Sequence, residues 1–135
     1  MQISKRLAAL LLAGLLLASC GRNNPMENIV DAPTEAKAGT NLETVTQVIE
    51  HAGADRGWRM TLQEPGLIRG HLVTGGGKHK VDVDIAYTQE AFSITYVDSV
   101  NMNYALRSDG PFIHPKYNRW VEILKQDIQK DMEKL

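Results

Sequence analysis

The stretch from Trp58 to Tyr96 constrains this chain most, because apolar residues recur in it at every second position. Trp58, Met60 and Leu62 alternate with Arg59, Thr61 and Gln63, and the turn Glu64-Pro65-Gly66 follows. Ile68, Gly70, Leu72 and Thr74 come next, then Gly75-Gly76-Gly77-Lys78. Val81, Val83, Ile85 and Tyr87 lead through Thr88-Gln89-Glu90-Ala91 to Phe92, Ile94 and Tyr96. A period of two, broken by glycine- and proline-bearing turns, is the mark of half-buried strands. Four strands on short connections predict an antiparallel meander.

The turns also set the register. With four residues in each of the GGGK and TQEA loops, Leu72 faces Val81, Gly70 faces Val83 and Ile68 faces Ile85. Ile85 then meets Ile94, and Val83 meets Tyr96, all on one face. The opposite face receives Arg69 against Asp84 and His71 against Asp82, two complementary cross-strand pairs. A slip of one residue would lose both patterns together. Only the apolar face is fit to carry helices.

Two segments have helical spacing. Leu42, Val45, Val48, Ile49 and Ala52 form one stripe, with Thr40 and Glu43 spaced as a capping box and a C-terminal boundary expected near Arg56, before Gly57. Tyr117, Trp120, Val121, Leu124, Ile128 and Leu135 form a second stripe behind Pro115, which suits a first helical turn. Arg119, Glu122, Lys125, Asp127, Lys130 and Lys134 lie mostly off that stripe and read as a solvated face. The expected fold is α+β, a two-layer α-β-β-β-β-α domain over residues 40–135. Its four-stranded antiparallel meander carries both helices on one face.

The N-terminal part is of another kind. Lys5 and Arg6 precede a run from Leu7 to Ala18 made only of Leu, Ala and Gly. A basic start, a short apolar core and small residues at the exit read as a secretory signal peptide. Its 12 apolar residues fall short of the roughly 20 that span a bilayer. The run closes on Leu17-Ala18-Ser19-Cys20, which looks like a lipobox, where bacterial lipoprotein processing acylates the cysteine and cleaves before it. Cys20 is the only cysteine, so its acylation leaves no thiol for a disulfide and the domain relies on core packing.

Residues 1–19 are accordingly expected to be removed, and residues 20–39 to form a lipidated, flexible tether. That polar stretch holds Pro25 and Pro33, shows no period, and has Ile29-Val30 as its one strongly apolar pair. A coil of ~19 residues spans about 25 Å. The chain beyond residue 19 keeps 13 of the 15 basic side chains and all 16 acidic ones, a formal charge of −3. That balance lacks the clustered basic surface of a nucleic-acid binder.

The richest polar segment is Tyr96 to Trp120, YVDSVNMNYALRSDGPFIHPKYNRW. Its runs YVDSVNMNY and IHPKYNRWVEIL, with the upstream RGW and VDVDIAY, resemble a family of small lipoproteins of Gram-negative bacteria. The resemblance spans about Leu42 to Ile128 and implies no activity. Asp98, Ser99, Asn101, Asn103, Tyr104, His114, Tyr117 and Asn118 are the candidate binding residues. Two accounts of them stand side by side. Short polar side chains cap backbone groups at a strand end and a helix start; or the segment walls a polar, aromatic groove for a peptide, glycan or lipid head group.

Catalysis and metal binding are not expected. Ser99 lacks a GxSxG elbow, and neighbouring Asp98 and Ser99 on a strand point to opposite faces. His71, His79, Asp82 and Asp84 share one hairpin but lack the HxH or HExxH spacing and the thiolates of a zinc site. GGGK lacks the spacing of a phosphate loop. The reading is therefore a lipid-anchored, non-enzymatic binding or adaptor module without a cofactor. Its partners are the membrane, through Cys20, and an envelope protein; the alternative is a small ligand or cell-wall glycan in the Asp98–Asn118 loop. Gly21 and then Arg22 follow Cys20, and the absence of an Asp after the cysteine favours the inner leaflet of the outer membrane over the inner membrane.

Overall fold

The computed structural model describes residues Asn23–Leu135; the signal segment and Cys20 lie outside them. The chain forms β1 (Asn24–Pro25), β2 (Ile29–Pro33), α1 (Leu42–Asp55), β3 (Arg59–Glu64) and β4 (Leu67–Thr74). It continues as β5 (His79–Tyr87), β6 (Ala91–Val100), β7 (Ala105–Arg107), β8 (Gly110–Ile113) and α2 (Pro115–Glu133). The main sheet has the order β2-β6-β5-β4-β3, and a smaller one has β1-β8-β7, antiparallel throughout. This is an α+β fold, and the meander β3 to β6 is intact within it.

The predicted register is the observed one. Leu72 pairs with Val81, Gly70 with Val83, Ile68 with Ile85, Ile85 with Ile94 and Val83 with Tyr96. Ile68, Val83, Ile85 and Ile94 are fully buried beneath the helices, with Phe92 beside them. On the open face Arg69 Nε donates to Asp84 Oδ1 at 2.5 Å, and the His71 ring bonds Asp82. Leu62, though in phase with the apolar set, lies near the end of edge strand β3 and is 47% exposed.

The tether expectation is overturned from Asn23 onward. β2 pairs with β6 and extends the four-stranded meander to five strands. Between Ile29 and Ala32 the pairing slips, and Asp31 takes φ of 49° with its amide donating to Ser93 Oγ. Ala32 then turns into the core, and Thr34, 1% exposed, donates its hydroxyl to the Gln89 carbonyl at 2.7 Å. Pro33 is tolerated because β2 is an edge strand, where one ladder hydrogen bond can be missing. Ile29 packs against the core while Val30 faces out. The domain thus already includes residues 24–33, well before residue 40.

Both helices cover the apolar face. The N-cap of α1 is Asn41, whose Oδ1 accepts from the Thr44 amide at 2.8 Å; Thr40 instead donates its hydroxyl to the Lys37 carbonyl. The N-cap therefore lies one residue later than expected, and the Thr40–Glu43 box does not form. α1 buries Val45, Val48, Ile49 and Ala52 and ends with Arg56 as C-cap, where Gly57 takes φ of 90°. α2 buries Tyr117, Val121, Leu124, Ile128 and Met132. Met132 occupies the place expected for Leu135, which follows the helix end and is half exposed. The two helices are joined by Arg56 Nε to Asp127 Oδ2 at 2.6 Å, a bond that raises the arginine pKa further.

Candidate functional site

The segment between Tyr96 and Trp120 is folded rather than looped. A bulge comes first: Val83 pairs with Tyr96 but Asp82 pairs with Asp98, so Val97 is the extra residue. Its consequence is geometric. Tyr96 and Ser99 come to the same face, and their hydroxyls bond at 2.8 Å. Asp98 turns to the open face opposite Asp82, and its Oδ1 accepts from the Ser99 amide.

Asn101 and Asn103 follow with φ of 59° and 56°, the left-handed conformation that asparagine tolerates best after glycine. Asn101 donates its side-chain amide to the Lys78 carbonyl at 2.8 Å, and its own carbonyl accepts from His79 Nδ1. The Asn103 carbonyl accepts from Asn23 Nδ2. Met102 between them is buried, and its carbonyl accepts from the His114 amide at 2.8 Å. Tyr104 lies flat on Tyr96, with centroids 4.7 Å apart, and Tyr96 meets Tyr117 edge-on at 5.7 Å. Burial pushes both the Tyr96 and Tyr117 hydroxyl pKa values up.

His114 caps α2: its Nδ1 accepts from the Lys116 amide at 3.1 Å. Asn118 clasps the start of the domain, accepting from the Glu27 amide and donating to the Pro25 carbonyl, both at 2.9 Å. Tyr117, fully buried, donates to Asn28 Oδ1 at 3.3 Å. Of the eight candidates, then, six spend side-chain polar groups on a turn, a cap or a seam, while Asn103 lends only its backbone carbonyl and Tyr104 spends its ring on a stack. Ser99, His114 and Asp98 hold separate partners and do not combine as nucleophile, base and acid. Among the described residues, no three His, Cys, Asp or Glu side chains converge as metal ligands.

A groove of about 580 Å³ opens elsewhere, and none of the eight lines it. Trp58 and Leu72 give it an apolar floor, flanked by Trp120 and Ile123 of α2. Arg56, His79, Lys116 and Arg119 stand around it, with Thr74 and Gly75 from the β4–β5 turn. No acidic side chain is in the lining. Asp127 answers the charge of Arg56, whereas Lys116 and Arg119 are exposed and form no ion pair among the described residues. Lys116 and Arg119 reach one side of the groove together because residues three apart neighbour each other on a helix. Gly70 lets Trp58 settle into the floor: a Cβ there would lie 3.2 Å from both the indole and Val83.

No sequence motif announces this groove. Its lining comes from the end of α1, the residue before β3, strand β4, the GGGK turn, the first residue of β5 and the N-terminal half of α2. The available signal was compositional: it holds both tryptophans of the chain. The fold and site define a small α+β domain with a basic, aromatic groove. Comparison with family models, curated proteins and solved structures returned no match.

Proposed function

We propose that this chain is a bacterial lipoprotein, anchored through acylated Cys20, whose domain is a non-enzymatic binding module in the cell envelope. The observation carrying the binding part is how the polar groups are used. Six of the eight candidates use their side chains to hold the fold, while the groove keeps two unpaired cations beside partly exposed Trp120 and Ile123. The anchor rests on the LASC sequence and on the apolar run before it. One acyl chain binds a membrane only reversibly, so the several chains of a processed lipoprotein suit a stable attachment. The expected site is the inner leaflet of the outer membrane, with the domain in the periplasm.

The test is metabolic labelling with palmitate in a Gram-negative host, followed by density separation of the two membranes. Label should depend on Cys20, vanish in Cys20→Ser, and travel with the outer membrane. An unlabelled wild-type chain would overturn the anchor, and recovery in the inner membrane would overturn the sorting.

A further inference from the structure

We infer that the groove between the GGGK turn and the start of α2 binds the phosphate-bearing head group of an anionic phospholipid in the membrane that holds Cys20. This rests on the anchored reading above. Three observations lead to it. The first is chemistry: Lys116 and Arg119 are unpaired cations above a floor of Trp58 and Leu72, with no acid in the lining. Cations over apolar surface match an amphiphile with a negative head better than a free anion or a neutral sugar.

The second is position. The groove and the first described residue are tied to one short turn. His79, in the groove, donates to the Asn101 carbonyl, while Asn23 donates to the Asn103 carbonyl two residues on. His114, whose amide bonds Met102 between them, directly precedes α2, where Lys116 lines the groove. The groove therefore sits at the end of the domain where the chain enters from Cys20.

The third is reach. Two residues separate Cys20 from Asn23, and a fully extended chain covers roughly 3.3–3.6 Å per residue, so the Cys20 Cα stays within about 11 Å of the Asn23 Cα. That is close to the distance over which exposed charges feel a membrane surface at physiological salt. A tether of the expected ~19 residues would not have fixed the domain in this way.

Both tryptophans line the groove, so intrinsic fluorescence reports on it directly. The test uses the chain from residue 20 with Cys20→Ser, which retains every described residue, and vesicles of pure phosphatidylcholine or half phosphatidylglycerol. The chain should sediment with the phosphatidylglycerol vesicles alone, with a shift in tryptophan emission. Lys116→Glu with Arg119→Glu, verified as folded by circular dichroism, should weaken binding by roughly tenfold or more. Equal binding to both vesicles, or retained binding in the folded double variant, would overturn the inference. The same emission shift with inorganic phosphate alone would also overturn it, making the groove a soluble-anion site. Palmitate labelling of the wild type is read separately. Acylation without vesicle binding refutes the groove alone; vesicle binding without acylation refutes the anchor alone.

Discussion

Asn118→Ala tests the claim that the N-terminal segment belongs to the domain. The side chain joins α2 to β1 through two hydrogen bonds of 2.9 Å, one from the Glu27 amide and one to the Pro25 carbonyl. Each such bond contributes about 0.5–1.5 kcal/mol net, and these are solvent-accessible, so the pair stabilises by roughly 1–2 kcal/mol. For a domain near this size, 1 kcal/mol shifts Tm by about 4 °C, which predicts a fall of about 4–8 °C. The local signature is sharper. The Glu27 amide loses its acceptor, and hydrogen exchange over Pro25–Glu27 should quicken by about 5–30-fold while the amides of β5 keep their protection. Asn118→Asp keeps an acceptor for the Glu27 amide but loses the donor to Pro25, so it should fall between. Wild-type Tm together with unchanged exchange over Pro25–Glu27 would refute the clasp, because the segment would then be held without it.

Other perturbations probe separate parts of the structure. Ile85→Ala removes a fully buried side chain from the centre of the sheet and should cost about 2–5 kcal/mol, measured by urea denaturation. Tyr117→Phe should cost about 1 kcal/mol or less at neutral pH, since the bond to Asn28 is long and Asn28 still accepts from the Tyr96 amide. Its larger effect is alkaline. Burial raises the folded hydroxyl pKa above the unfolded value near 10, so the wild type keeps this stability below about pH 10 and loses it as pH rises further, through preferential ionisation of the unfolded chain. Tyr117→Phe should flatten that decline in a denaturation series from pH 8 to 11; an unchanged slope would contradict it. Arg69→Ala should cost no more than about 1 kcal/mol by thermal denaturation, because the pair with Asp84 is partly solvated on the open face.

Where local pattern and tertiary packing agree, the sequence is readable. The meander register follows from alternation and loop length because Ile68, Val83, Ile85 and Ile94 cannot leave the core face without bringing charges into it. β2 escapes the same reading for a physical reason. The slip between Ile29 and Ala32, with Asp31 in the left-handed region, breaks the alternation that marks a strand, and Pro33 argues against one. Its order comes from pairing with β6, about 60 residues away, and from Thr34 bonding Gln89. Asn41 beside Thr40 offered two capping residues in a row, and local spacing could not choose between them. The Asp98–Asn118 cluster was visible as a concentration of polar residues, yet its hydrogen bonds show turns and seams. The groove was invisible because its cations, indoles and glycine turn meet only once the sheet and helices close.

The most direct measurement is neutron reflectometry of the lipidated chain on a supported bilayer containing phosphatidylglycerol. With the chain already ordered within three or four residues of Cys20, protein density should start at the head groups with no resolvable hydrated layer between them. A water-filled gap of about 25 Å, the span of a flexible 19-residue tether, would contradict the account.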